Sequence, residues 1–353
     1  MSSRAARRPA DTERKTFIPV KVLIVGPSWV GDTILAQPLF RLLQARSPGL
    51  TLDVLAPPWT APLLARMPEV RRALPNPFAH GELKLAARLR LGRMLAPEGY
   101  HEAIVLPNSF KSALVPFFAG IDRRTGYRGE MRYGVLNDVR TLDEVALPLM
   151  VERFAALAGT AGEALPRPLP RTRLQVDAAG RDAVLRRHGL EPHGPVVAFC
   201  PGAEYGSAKR WPAAHFAELA RSMAARGREV WLIGSPRDAA IGEEIAQLSG
   251  GAGRNLCGKT SLDEAVDLLA GAELVISNDS GLMHVAAALD RPLIALYGSS
   301  SPSFTPPMSA AATILRLDLP CSPCFERECP LGHFKCMREL APETVDARAA
   351  ERW

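Results

Sequence analysis

Short apolar runs that end in glycine or a polar turn, each handing over to a helical pattern, recur along this chain, and that alternation constrains the fold more than any other feature. Lys21–Val25 (KVLIV) ends at Gly26, and Ile34, Leu35, Leu39, Leu42 and Leu43 then recur at helical spacing. Leu50–Ala56 and Ala103–Leu106 read as further strands. The second half restarts the pattern with Val196–Cys200, Glu229–Ile233, Leu274–Ser277 and Leu293–Tyr297, separated by helical stretches at Ala213–Ala225, Asp238–Leu248 and Leu262–Ala270. A continuous apolar run is how a strand covered on both faces reads, and strands alternating with helices imply a parallel sheet. Between the halves lies AGEALPRPLPRTR (161–173), whose prolines remove backbone donors and disfavour helix. The expectation is an α/β protein with two Rossmann-like parallel-sheet domains facing across a cleft. Residues 1–18 are expected to be a disordered basic tail, 19–160 the first domain, 161–175 a linker, 176–340 the second domain and 341–353 a C-terminal helix. The length of 353 residues suits two such domains.

Composition narrows the function classes. With 47% hydrophobic and 23% charged residues the chain has the make-up of a soluble globular protein. No apolar run reaches the roughly 18–20 residues of a membrane span, and the opening MSSRAARRPADTERKT has no apolar stretch of a secretory signal, so a cytoplasmic location is expected. The formal charge of +6 suits a polyanionic partner (nucleic acid, a phosphorylated glycolipid or an anionic membrane surface), or reflects a generally Arg-rich composition.

In parallel α/β sheets, ligands bind beyond the carboxyl ends of the strands, so the loops there carry the functional reading. After the first strand, Gly26-Pro-Ser-Trp-Val-Gly31-Asp32-Thr33 nearly matches a phosphate-cradling loop, but Asp32 stands where that loop needs lysine. A carboxylate at the head of a helix suits a general base, and it also suits a helix cap. After Cys200, Pro201–Pro212 carries Gly202, Ser207, Lys209 and Arg210, an anion site or a solvated basic loop. After Ser277, Asn278-Asp279-Ser280-Gly281-Leu282-Met283-His284 opens a helix with Ser280 at its cap, leaving amides free to hold phosphate, and His284 falls on the same face. Gly234 and Ser235 open a further loop on the same sheet, placed to border a nucleoside.

Cys321, Cys324, Cys329 and Cys336 form C-x2-C-x4-C-x6-C with His333 inside the last interval. Four soft ligands this close either hold a structural zinc or iron ion or remain reduced thiols in a compact loop.

The strings GPSWVGD, PGAEYGSAKRWP, NDSGLMHVAAAL and CSPCFERECPLGHFKC resemble those of the lipopolysaccharide core heptosyltransferases, over a span from about Val20 to the C-terminal region. The resemblance implies the GT-B architecture, with an acceptor-binding first domain and an ADP-heptose-binding second domain. It implies inverting, metal-independent transfer of L-glycero-D-manno-heptose from ADP-heptose onto the first heptose of the inner core, on heptosyl-Kdo–lipid A, at the cytoplasmic face of the inner membrane. Asp32 falls at the family's catalytic base and Lys209 at its donor-phosphate lysine. Asp279, Ser280, Gly281 and His284 fall at the helix start that holds ADP. The cysteine string belongs to the same pattern, so it signals no separate nucleic-acid domain. Because the inner core carries carboxylates and phosphates, Asn108, Lys111, Arg123, Arg124 and Arg128 of the first domain are acceptor candidates, with a plain solvated surface as the alternative for each. The competing readings are a transferase for another heptose of the core, another GT-B nucleotide-sugar enzyme, a sugar-nucleotide-binding protein without activity, and a nucleic-acid-binding protein. The last lacks interleaved aromatics, which make up only 6% of the chain.

Overall fold

In a computed structural model, which describes residues 20–353, the chain builds two six-stranded sheets with every strand pair parallel. The tail expected at 1–18 lies outside the described residues. The first sheet comprises β1 (Lys21–Val25), β2 (Thr51–Ala56), β3 (Arg72–Pro75), β4 (Glu102–Val105), β5 (Arg123–Tyr127) and β6 (Asp138–Arg140), in the order β3-β2-β1-β4-β5-β6. The second comprises β7 (Val196–Cys200), β8 (Glu229–Leu232), β9 (Gly253–Asn255), β10 (Leu274–Asn278), β11 (Leu293–Tyr297) and β12 (Ala312–Arg316), in the order β12-β11-β10-β7-β8-β9. Counted from its own first strand, each sheet has the same doubly wound order, 3-2-1-4-5-6. The chain therefore reverses its winding between β1 and β4 in one sheet and between β7 and β10 in the other, and a crevice opens at each reversal.

The apolar runs behave as their composition demands. β7, β10 and β11 are buried at every position and β1 at all but Lys21. Register aligns the strand ends: Val25 pairs with Leu55 on one side and Val105 on the other, and Ile276 pairs with Phe199 and Ile294. The loops after these strands consequently rise from one edge of each sheet. Leu23, Val25, Tyr100 and Val105 belong to the outer core of the first sheet, and Phe199, Trp211, Phe216 and Leu232 to that of the second. Between the two sheets runs one continuous core, in which Ile24, Leu39 and Val54 from the first half join Met283, Val285 and Ala295 from the second.

Polar contacts tie the halves together. Gln37 accepts from the Arg173 amide at 2.7 Å and donates to its carbonyl at 2.7 Å, while the Leu174 amide donates to Ala288 at 3.0 Å. The stretch expected as a linker is thus a strap, with Thr172 and Leu174 buried. Arg66 of the first half donates to both Asp267 oxygens at 2.7 Å and to Asp263 at 2.7 Å. Asp267 is almost fully buried, so Arg66→Ala strands a carboxylate without its partner. The expected cost is about 3–5 kcal/mol of stability, read as a lowered denaturant midpoint. The helix Pro342–Ala350 packs its Val345 and Ala349 into the second half and holds Asp346 against Arg226 at 2.5 Å.

Candidate active site

After β1 the chain turns through Pro27 and Ser28 into the helix Val30–Leu35. The cap of this helix is the extended residue Trp29, whose side chain makes no capping bond, and Asp32 is the third helical residue. The capping role considered for Asp32 is therefore not the one it takes. Its carboxyl has no hydrogen-bond partner among the described residues and faces the second half. Part of its surface remains open, yet protein packs round the acid closely enough that burial pushes its pKa up to about 6. Asp279 adds to the rise, and Lys209 opposes it. Those two residues belong to the other sheet, so the electrostatics of the acid are set across the seam.

The second half supplies its groups from the two loops at its own switch point. Asn278, at the end of β10, donates to the Pro201 carbonyl at 2.7 Å and accepts from the Trp211 amide at 3.1 Å, which locks the β7 and β10 loops together. Lys209 reaches Asp279 at 2.5 Å, and its ammonium lies 5.2 Å from the centre of the Tyr205 ring. Ser280 caps the helix Gly281–Ala288 by position, but its hydroxyl meets Ser277 at 3.2 Å rather than bonding back to the helix. The first amides of that helix thus keep their capacity for an anion. His284 is buried, its Nδ1 has no partner, and burial pushes its pKa down to about 4, leaving a neutral ring.

The two helix starts touch. A Cβ on Gly31 would lie 2.8 Å from Cδ2 of His284, and one on Gly281 would lie 2.8 Å from Val30. Only glycine permits this approach. Gly281→Ala is expected to hold the halves apart and lower kcat by about 10–100-fold, since small misplacements of reacting groups cost that much.

The remaining donor-side candidates surround this centre. Gly202 packs so closely on Asp238 that a Cβ would meet the carboxyl at 2.3 Å, and Gly234 approaches Asp238 and Cys257 similarly. Ser235 donates to Asp238 at 2.7 Å and to Glu204 at 3.0 Å. Arg210 has a buried Nε without a partner, and the Ser207 hydroxyl is exposed. Sequence reasoning missed Asn278 and Asp238, which organise these loops. It also missed Ser299 and Ser300, whose buried hydroxyls after β11 have no partners; the signal available was a serine run following a buried strand.

On the first sheet, Asn108 and Lys111 follow β4 and Arg128 follows β5, at the same edge as Asp32. The Asn108 carbonyl would lie 2.3 Å from a Cβ on Gly129, so the two loops are in contact. Buried Arg132 joins them by donating to Pro107 at 2.7 Å and to the Asn108 side chain at 3.1 Å. It lies between β5 and β6 near Arg128, and its role is internal. Arg123 and Arg124 are a correction. They begin β5 at the opposite edge, where Arg123 pairs with Asp138 at 2.9 Å and Arg124 donates to the Val135 and Ile121 carbonyls.

The four cysteines are free, and together with His333 and Ser299 they line one small cavity. Burial and the neighbouring thiols raise the pKa of Cys336, whereas backbone amides, first that of Phe334, lower that of Cys329. Among the described residues no three His, Cys, Asp or Glu side chains converge closely enough to hold an ion. The loop also buttresses the loop that carries Lys209: Ala208 donates to the Arg327 carbonyl at 3.0 Å and the Tyr205 hydroxyl to Phe325 at 2.8 Å.

Residues 88–335 match the model of glycosyltransferase family 9 (heptosyltransferase). The chain is 50% identical to lipopolysaccharide heptosyltransferase 2 of Escherichia coli K12 over 335 residues, covering 92% of this chain and 96% of that one. It is 48% identical to lipooligosaccharide heptosyltransferase 2 of Haemophilus influenzae, over 84% of this chain and 89% of that protein. Among solved structures, that of E. coli ADP-heptose lps heptosyltransferase II superposes with a TM-score of 0.85 at 47% identity, covering 94% of this chain and 98% of that chain.

Proposed function

The chain belongs to glycosyltransferase family 9, the heptosyltransferases, and from that premise we propose that it moves heptose from ADP-heptose onto the first heptose of the lipopolysaccharide inner core. It is a glycosyltransferase of GT-B architecture that acts in building that core. The observation that carries the finer reading is the identity of 50% to a heptosyltransferase 2, against 27% and 29% to heptosyltransferases 1. The position of the acid supports the chemistry: Asp32 on one sheet faces a cation and a free helix start on the other.

In the proposed mechanism, Asp32 accepts the proton of the acceptor hydroxyl as its oxygen attacks the anomeric carbon. The bond from that carbon to the ADP oxygen breaks on the opposite face, inverting the centre. Lys209 and the amides of Gly281, Leu282 and Met283 meet the charge that develops on the departing diphosphate. Asp279 holds Lys209 in place, and neutral His284 donates a hydrogen bond without adding charge. Gly202, Ser207, Arg210, Gly234 and Ser235 form the surrounding donor wall. Asn108, Lys111 and Arg128 face the acidic acceptor. General base assistance of this kind contributes about 10²–10⁴-fold.

No step in this scheme uses a metal, and the cysteine loop serves as a structural support for the donor loop. A zinc or iron ion there would have its place in that support. The positive charge serves the anionic, lipid-linked acceptor rather than nucleic acid. No helix among the described residues is long and apolar enough to cross a membrane, and the proposed location is peripheral, at the cytoplasmic face of the inner membrane.

The test is a product analysis with ADP-heptose and two acceptors, Kdo–lipid A with and without its first heptose. The heptosylated acceptor alone should gain mass by one heptose. Addition to the bare acceptor instead would assign the chain to the preceding transfer.

A further inference from the structure

We propose that the helix Leu85–Leu95 and the turn before it are the surface by which this protein sits on an anionic bilayer. The inference rests on the lipid-linked acceptor proposed above and adds where the lipid surface meets the chain. Helices of soluble domains ordinarily turn charged and small polar residues outward. Here the outward side of the first domain carries Leu83, Leu85 and Met94, which are 50%, 52% and 69% exposed. Lys84, Arg90 and Arg93 are exposed among them, and the helix contains no acidic residue. Ala86, Arg90, Arg93 and Met94 fall on one side at 100° per residue and Arg88, Gly92 and Leu95 face the core, while Leu83 and Leu85 stand at the N-terminal end of the helix, with Leu85 half a turn round from Met94. Apolar side chains set among long cations suit the boundary of a bilayer, where the stems lie in the apolar layer and the charges reach anionic headgroups.

The turn is held outward rather than left loose. Arg88 is buried and donates to the Leu83 carbonyl at 2.6 Å, the Glu82 carbonyl at 2.9 Å and the Lys111 carbonyl at 2.9 Å, with its guanidinium 4.0 Å from the centre of the Phe78 ring. Lys84 adopts a left-handed backbone with φ 42° and pairs with Glu82 at 2.8 Å. Glu82 is the acid next to this turn, and its charge is answered by that pair. Arg90 and Arg93 have no acidic partner among the described residues. Because Arg88 binds Leu83 to Lys111, the exposed leucines adjoin the β4 loop at the edge that carries Asp32. A bilayer against this surface would present its headgroup sugars beside that loop.

The experiment is co-sedimentation of the full chain with vesicles of phosphatidylcholine alone or containing phosphatidylglycerol, at low and high salt. Wild type should bind the anionic vesicles and release them as salt rises. Leu83→Asp with Leu85→Asp, and separately Arg90→Glu with Arg93→Glu, should each weaken that binding at least tenfold. Turnover on a soluble, deacylated acceptor should stay at the wild-type level in both variants, and that arm also separates this proposal from the transferase reading. Loss of soluble turnover in wild type would sink the reading of the reaction. Unchanged vesicle binding in both variants would overturn the surface proposal alone and move attachment elsewhere, such as the basic residues before Val20. Equal binding to neutral vesicles would overturn the electrostatic part.

Discussion

Replacing Asp32 by asparagine is expected to lower acceptor-dependent turnover by about 10²–10⁴-fold while leaving ADP affinity nearly unchanged. The same substitution should stabilise the fold. In the unfolded chain the carboxyl ionises near its ordinary 3.8, whereas in the folded protein it does so at about 6. Between those values the folded state holds a proton that the unfolded chain has lost, so stability falls as pH rises through this window. Above about 6 the penalty is constant, on the order of 1–3 kcal/mol. Asparagine removes the penalty, so the variant should melt several degrees higher at pH 7.5, and the gain should vanish toward pH 4. A residue that acted only as a helix cap would show the reverse, a loss of stability with activity retained. Calorimetry and ADP titration on the same two proteins decide between these outcomes.

Lys209→Met is expected to weaken ADP binding by roughly 10–150-fold, the equivalent of one charge-assisted hydrogen bond of about 1.5–3 kcal/mol. Methionine keeps much of the stem that packs beside Tyr205. The variant also leaves Asp279 buried without its cation, so its stability should fall. Adding Asp279→Asn removes the stranded charge and should recover stability without recovering ADP affinity, which separates the two roles of the lysine. A further sign follows for the acid: Lys209 holds the pKa of Asp32 down, so its removal should move the acid limb of activity to higher pH. An unchanged ADP titration in Lys209→Met would place the lysine outside the donor site.

How much of this was legible in the sequence depended on where each residue lies in the sheets. The inner strands β1, β7, β10 and β11 are mostly apolar because both faces are covered, and each is legible in the sequence within a residue of its observed bounds. β3, β5, β6, β9 and β12 escaped notice. RALP, RRTGY, DVR, GRN and ATILR are short or stand toward a sheet edge, where half-exposed positions admit arginine, proline and glycine. Because RRTGY carries no apolar run, it does not read as a strand, and Arg123 and Arg124 look like loop cations. In a loop their charges would face an acceptor, but at the start of a strand they are spent on Asp138 and backbone carbonyls.

At the candidate site, the residues that the structure brings together are those whose loop follows an inner strand, because the switch points of both sheets bring those loops to the seam. Asp32, Lys209, Asp279, Ser280, Gly281 and His284 all come from such loops. Asn278, Asp238 and Arg132 were not legible, because their work is to hold one loop against another across long sequence separations. No local pattern distinguishes a polar side chain that binds a distant backbone from one that faces water. The contact of Gly31 with His284 was hidden for the same reason. Each glycine was visible, but the need for it arises only when the two halves meet.

The most direct test of the account is the pH dependence of kcat/KM for acceptor-dependent ADP release by the wild-type chain, measured beside Asp32→Asn. Activity is expected to rise tenfold per pH unit on the acid side and level off above about 6, where the free enzyme's Asp32 is ionised. The small residual activity of Asp32→Asn should lack that limb. A wild-type profile flat through this region, or a residual profile in the variant with the limb intact, would contradict the assignment of Asp32 as the base.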